Sequence, residues 1–302
     1  MREELEFIYS LLISGVAIGL MYSLIALGFV LVYKATDAIN FAQGEFVMLA
    51  AYFAAVILAA NWPSAAIGLI VAVGAALAGM ILFSFGLERL VLRPLLGRPV
   101  VAVIMATIGL AAIFRGLPPI TVGASTKTIP LPIPDSAIAL GPASVTPIQV
   151  LGVLTSAACL AAFTWFFMKS RMGVAMRAVA DNQQVAMAMG INVERYFAIA
   201  WAMAGIVSAL GGIIWGSMLG VDTQLALVGL KVFPVVILGG LDSIIGAVVG
   251  GVIVGVVESI AAGYLDPYVG GGTKDFAPYV LMIIMLMFKP YGMFGKRKIE
   301  RI

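Results

Sequence analysis

FIYSLLISGVAIGLMYSLIALGFVLVY, residues 7–33, carries no charged side chain over 27 positions. An α-helix rises about 1.5 Å per residue, so roughly 20 apolar residues cross the ~30 Å hydrocarbon core of a bilayer. The run exceeds that length, and it far exceeds the roughly 7 to 15 apolar residues of a secretory signal core. Its leader, MREELE, is mostly acidic. The segment is therefore expected to stay in the mature protein as a membrane-spanning helix.

The same ruler, carried outward, predicts spans near 7–32, 46–60, 64–87, 100–114, 148–168, 196–220, 225–241, 243–264 and 276–289. Eight or nine crossings make this an all-α polytopic membrane protein, read as one transmembrane domain over 1–302. The span at 225 holds Lys231 and Pro234, and whether 36–45 and 222–241 re-enter the membrane stays open. Composition agrees: 62% of the 302 residues are hydrophobic and 11% charged, with a mean hydropathy of +1.11. A soluble domain has about half its residues apolar and a quarter charged. The lipid bilayer is thus the first partner.

Several chemistries are excluded. A net charge of +3 gives no reason to expect nucleic-acid binding, and the absence of histidine removes His-based metal sites and triads. Cys159, the one cysteine, lies in TSAACLAAF and reads as a small packed hydrophobe. GGTK at 271–274 and GKRK at 295–298 lack the spacing of a phosphate-binding loop. If ATP is used, another chain binds it. No metal site, no cofactor and no catalytic residue is assigned to this chain.

Charge distribution gives orientation. Arg89, Arg93 and Arg98, then Lys169, Arg171, Arg177 and Arg195, then Lys289, Lys296, Arg297, Lys298 and Arg301 form three basic segments, expected to be cytoplasmic. The opposite side receives 115–147, with Arg115 and Lys127 its only bases, and LDPYVGGGTKD at 265–275. Nine crossings put the N-terminus outside and the C-terminus in the cytoplasm. The external segment holds Pro118, Pro119, Pro130, Pro132, Pro134, Pro142 and Pro147, which resist helix; a stiff extended cover and a structureless connector are both open.

Helices in lipid associate through small residues. Gly15 and Gly19, Gly216 and Gly220, Gly246 and Gly250, and Gly251 and Gly255 each lie four apart, on one helical face, and read as packing positions. A faint internal echo links GMILFSFGLE (79–88) with GGVIVGVVE (250–258), and RPLLGR (93–98) with KPYGMFGK (289–296).

Polar groups at membrane depth mark the candidate path. Ile39-Asn40-Phe41-Ala42-Gln43-Gly44-Glu45 opens directly into a span, as a half-inserted helix start lining a cavity or as an interfacial turn capped by Asn40. Glu258 stands alone in an apolar span, a substrate or proton contact or a structurally paired carboxylate. Asn40, Gln43, Glu45, Thr107 and Glu258 are the candidate path residues, although Thr107 and Ser208 are expected mainly to bond their own helix carbonyls.

The most informative stretch is KSRMGVAMRAVADNQQVAMAMGINVERY, 169–196, too polar to cross. Its helix formers predict one short helix from Val174 to Met189, stopped by Gly190. Arg177, Asp181 and Gln184 share one face, with Val179, Ala186 and Met189 on the apolar remainder. Such a helix suits docking in a groove on a partner; lying on lipid is the alternative.

Here a resemblance becomes specific. Gln184-Val185-Ala186-Met-Ala-Met-Gly190 fits the E-A-A-x-x-x-G spacing of the coupling loop in ABC importer permeases, with Gln and Val where the pattern has Glu and Ala. Together with RAVADNQQVAMAMGINVERY, INFAQGEF and VVILGGLDSIIGAVVGG, in that family's order and over nearly the whole chain, it resembles the branched-chain amino-acid ABC importer permeases of the LivH type. That resemblance implies a bacterial inner-membrane subunit that pairs with a second, related permease, alike or different. It also implies two cytoplasmic ATPase subunits that bind ATP and Mg, and an external solute-binding protein. The 169–195 loop would seat in an ATPase cleft, with Arg177, Asp181, Gln184, Ala186 and Gly190 as coupling residues. Cargo would be a branched-chain or similar hydrophobic amino acid, with amides, urea and aromatic acids open. A proton- or sodium-coupled carrier using Glu258 or Glu45 is the alternative from another class. A membrane enzyme lacks any nucleophile, base and orienter together.

Overall fold

The computed structural model describes residues 2–95, 98–133, 136–141 and 143–295. Pro134 and Pro142 of the proline-rich segment, and Lys296, Arg297, Lys298 and Arg301 of the tail, lie outside the described residues. The uncharged opening run is helical as α1 (Arg2–Thr36), followed by α2 (Gln43–Leu58), α3 (Ala65–Leu87) and α4 (Val100–Thr121). A small hairpin, β1 (Ile138–Leu140) and β2 (Ala143–Val145), precedes α5 (Pro147–Lys169), α6 (Arg171–Asp181), α7 (Gln183–Ala188) and α8 (Val193–Leu219). The chain ends in α9 (Leu227–Gly239), α10 (Ile244–Tyr264), α11 (Asp266–Val269) and α12 (Thr273–Phe288). Polar residues set several helix starts: Ser64, Ser170, Asn192 and Ser243 each accept a backbone N–H from the first turn that follows. Such a cap stabilises a helix by about 1 kcal/mol.

Each stretch read as a span contains a helix. Among the described residues, six are long and apolar enough to cross a membrane: Glu3–Thr36, Ala65–Leu95, Val100–Thr121, Pro147–Lys169, Val193–Leu219 and Ile244–Tyr264. Gln43–Leu58 and Thr223–Gly239 are apolar but shorter.

Three expectations need correction. The fourth helix does not stop at 114; it runs through Pro118 and Pro119 to Thr121. Proline's fixed φ is helical, and only two donors are lost near a helix end, where Val122 N–H still closes on Pro118 O at 2.8 Å. Nor is the proline-rich segment structureless: Ile138–Leu140 pairs antiparallel with Ala143–Val145, and Lys127 bridges to Val221. The two short strands are a small exception to the all-α reading. Finally, Gly220 is not on a helical face with Gly216: it ends α8 in a positive-φ conformation (φ 86°), which L side chains rarely adopt, although it too is closely packed, since a Cβ there would lie 2.8 Å from Thr126 Cγ2.

Contacts divide the chain into two units. The first comprises Met1–Ala26, Ile133–Ala158 and Leu230–Ile302, the second Leu27–Pro132 and Cys159–Gly229. Within the first, α1 and α10 meet backbone to backbone: a Cβ on Gly15 would lie 2.7 Å from Val256 Cα, and one on Gly19 would strike Gly251 O. Gly250 likewise lies on Val235 O and Gly246 on Gly239, binding α9 to α10. The expected glycine pairs at 15/19, 246/250 and 251/255 thus do pack. Within the second unit, a Cβ on Gly205 would lie 2.7 Å from Met80 O and one on Gly212 would strike Val47 O, so these glycines let α8 approach α3 and α2. Phe46 fills the space between them, 5.5 Å from the Phe83 ring, 6.2 Å from Phe114 and 5.9 Å from Trp201.

Candidate functional site

The polar loop between α5 and α8 belongs to the second unit. Ser170 caps α6, and Gly173, Met176 and Val179 form its buried stripe. The predicted single helix from Val174 to Met189 is broken at Asn182, which is extended (φ −159°, ψ 108°). Its N–H closes α6 on Ala178 O, and its Oδ1 accepts from Val185 N–H at 3.0 Å to start α7. Asparagine's amide competes with helix continuation in this way, so Asp181 and Gln184 fall on different helices. Gly190 ends α7 as expected, at φ 80°; Gly190 N–H bonds Met187 O at 2.9 Å and Ile191 N–H bonds Ala186 O at 3.0 Å.

Burial sorts the expected coupling residues. Asp181 and Gln184 are exposed and Arg177 is partly buried, whereas Ala186 is only 2% exposed and faces this chain's own fold. Ala186 positions α7 and offers no contact surface. Met189, expected with Val179 and Ala186 on the apolar remainder of the helix, is 78% exposed while those two are buried, and Val174, Val185 and Met187 are exposed with it. The loop therefore presents apolar side chains outward and holds itself inward by a separate stripe.

An ion cluster that the sequence reading missed supports the loop. A π-helical turn, Glu88–Leu92, brings residue 93 back over residue 88. Arg93 donates to Glu88 through Nε (3.2 Å) and Nη2 (3.0 Å), and through Nη1 to Glu194 at 3.0 Å, at the start of α8. The sequence signal for it is the five-residue spacing of Glu88 and Arg93, of which only Arg93 counts toward orientation. Beside it a cavity of about 360 Å³ is lined in part by Asp37, Glu88, Arg98, Asp181, Asn182 and Gln184.

The 39–45 segment is buried in the same unit. Ala42 N–H donates to Asn40 Oδ1 (3.0 Å), Asn40 Nδ2 to Gln43 Oε1 (3.2 Å), Gln43 Nε2 to Ser208 Oγ (2.9 Å), and Ser208 Oγ to Ala204 O (2.8 Å). Thr107 also bonds its own helix, at Ile104 O (2.9 Å), while accepting Phe41 N–H at 3.3 Å. Both hydroxyls do what was expected and anchor the segment as well. Asn40 thus caps the turn that leads into α2, as one of the two readings expected, while the N-cap of α2 itself is Ala42, without a side-chain bond. Glu45, 2% exposed, pairs with Arg115 Nη2 at 2.5 Å, a contact that the longer α4 makes possible. Asn40, Gln43 and Ser208 form one hydrogen-bonded chain, Thr107 holds the backbone of the intervening Phe41, and Glu45 is ion-paired in the same unit.

Glu258 belongs to the other unit and has partners. Tyr22 donates its hydroxyl to Glu258 Oε1 at 3.2 Å, and Lys231 Nζ lies 3.6 Å from the same oxygen. Lys231 also reaches Asp275 Oδ1 at 2.6 Å. Nearby, Asp266 accepts the Thr273 hydroxyl and its N–H (2.9 Å), which holds the Asp266 carboxyl below the usual carboxylate range. Among the described residues no three His, Cys, Asp or Glu side chains are grouped to hold a metal ion.

The chain is similar over its whole length to the high-affinity branched-chain amino acid transport system permease protein LivH of Salmonella typhimurium, at 29% identity and 100% of each chain. BraD of Pseudomonas aeruginosa, named as the permease protein of the same kind of system, is 28% identical over 96% of this chain and 97% of its own. Among solved structures, PsaBC from Streptococcus pneumoniae in complex with Fab aligns with 95% of this chain and 94% of its own, at 14% identity and a TM-score of 0.46. Residues 11–288 match the family described as the permease component of the branched-chain amino acid transport system, and the chain belongs to that family of multi-pass membrane permeases.

Proposed function

We propose that this chain is the permease subunit of an ATP-driven importer for branched-chain or similar hydrophobic amino acids. It crosses the membrane eight or nine times, with its N-terminus outside and its basic tail in the cytoplasm. It works with a second, related permease, two cytoplasmic ATPase subunits and an external solute-binding protein. ATP and Mg sit on the ATPase subunits, and cargo selection rests chiefly with the binding protein.

One observation carries the reading: the α6–Asn182–α7–Gly190 unit. A capped, jointed helix pair is clamped inward by Met176, Val179 and Ala186 and turns Val174, Val185, Met187 and Met189 outward. Apolar side chains on a polar loop suit a protein groove better than water. Movement of that groove on ATP binding reaches α8 through the chain itself at Gly190–Asn192, and the Arg93–Glu194 pair ties the start of α8 to the turn that follows α3. Such coupling requires the ATP-bound partners to favour one permease state. The ion pairs of Glu45 and Glu258 weigh against either as the proton carrier of a secondary transporter.

The test is Gly190→Arg in the complete complex, reconstituted in proteoliposomes. A side chain at φ 80° is strained, and the charge sits beside the outward apolar patch. ATP-dependent leucine uptake is expected to vanish while the subunit stays in the membrane. Unchanged uptake would remove the coupling assignment.

A further inference from the structure

Glu258 has one carboxylate oxygen with nothing to accept. The residue is 6% exposed, and Oε2 is buried without a hydrogen-bond partner, while Oε1 takes Tyr22 and faces Lys231. Buried polar atoms in a membrane protein are nearly always partnered, so an orphaned carboxylate oxygen marks a place for a donor. Lys231 does not fill it, because its shorter contact is with Asp275. One base against two carboxylates leaves the cluster one negative charge over.

The position along the helices is informative. Lys231 is one turn into α9, Asp275 is in the first turn of α12, and Glu258 is six residues before the end of α10. All three lie toward the end of their unit that carries α11 and Gly270–Gly272. On the proposed orientation this is the external end, where cargo is handed over. A hydrophobic amino acid arrives there with an ammonium of three N–H donors and a carboxylate. Its side chain needs only an apolar wall; its ammonium needs acceptors.

We infer that Glu258 and Asp275 form a reception site for the cargo's ammonium group, with Lys231 placed to meet its carboxylate. The ammonium fills the Glu258 Oε2 valence and offsets the surplus charge. No covalent step is involved. The inference rests on the importer reading above and adds to it the chemical group recognised and the residues that recognise it.

The test uses the complete complex with its binding protein and radiolabelled leucine. Glu258→Gln keeps the shape and one acceptor but removes the charge. It is expected to lower uptake at least tenfold, while the loaded binding protein still stimulates ATPase activity. The double variant E258Q/K231M separates recognition from charge balance. A purely structural pair predicts that it restores uptake; a reception site predicts that uptake stays down. Wild-type rate in E258Q, or rescue in the double variant, overturns the site. If E258Q does not assemble, Glu258→Asp asks the same question, since it keeps the charge and withdraws the oxygens by one methylene. Reduced uptake then supports the site, and a wild-type rate overturns it. Absence of ATP-dependent uptake by the wild-type complex would instead refute the importer reading, so the two failures are distinguishable.

Discussion

Asn182→Ala is the most direct way to ask whether the joint in the loop matters. The wild-type amide starts α7 by accepting Val185 N–H at 3.0 Å, and removing such a cap costs about 1 kcal/mol. Alanine also favours helix over asparagine by about 0.6 kcal/mol, so the same change rewards continuing α6 into α7. Together the terms favour a continuous helix by about 1.6 kcal/mol, a shift of roughly fifteenfold in the ratio of jointed to continuous loop. A continuous helix would carry Val185, Met187 and Met189 away from the direction that Val179 and Ala186 fix. ATP hydrolysis and leucine uptake are measured together in proteoliposomes of the complete complex. Asn182→Ala is expected to lower leucine transported per ATP by up to about fifteenfold, and Asn182→Asp, which keeps a capping oxygen, to remain near wild type. Equal coupling in both variants, with the complex assembled, would refute the reasoning.

Two further outcomes follow from single contacts. Arg115→Met leaves the buried Glu45 carboxylate without its counter-charge; because Arg115 is itself 44% exposed, the cost falls below the ~3 kcal/mol of a fully buried pair. The assembled permease recovered from membranes is expected to fall, and E45Q/R115M to recover most of it, whereas equal yields from the single and double variants would argue against a pair that matters. The depressed Asp266 carboxyl contributes stability that is fully present above its unfolded value of about 3.9 and is lost as pH falls through its lower folded value. Amide protection at Thr273 should therefore hold from neutral pH down to about 4 and fall below it, and protection independent of pH across that window would contradict the assignment.

What the sequence made legible was what depends on neighbours in the chain. The apolar runs and the Gly190 stop are local chemistry, and each is present. Asn182 was legible in principle, as a capping residue inside a helix-forming run, but one residue of that type rarely outweighs the formers around it; here its side chain bonds forward and its N–H backward. The partners of the polar groups were not legible. Glu45 and Arg115 are 70 residues apart, and only the unexpected length of α4 brings them together. Lys231 and Glu258 are both visible in the sequence as charges in apolar runs, but nothing there shows that they face each other at 3.6 Å with Asp275 as Lys231's nearer partner.

The echo between 79–88 and 250–258 shows how similar sequence can support different chemistry. Both runs end on a glutamate that its unit buries, Glu88 to 1% and Glu258 to 6% exposure. In one, the π-turn places Arg93 so that its guanidinium occupies both carboxylate oxygens and still reaches Glu194. A bidentate pair of that kind is closed: neither oxygen has a reason to exchange partners, and its use is to fix one element against another. In the other, the base comes from a neighbouring helix as a lysine, a point charge with rotatable donors, and it divides itself between two carboxylates. One oxygen of Glu258 is left over. The difference between a clamp and an open site lies in the identity and direction of the base, which is why the two glutamates look alike in sequence and not in the folded chain.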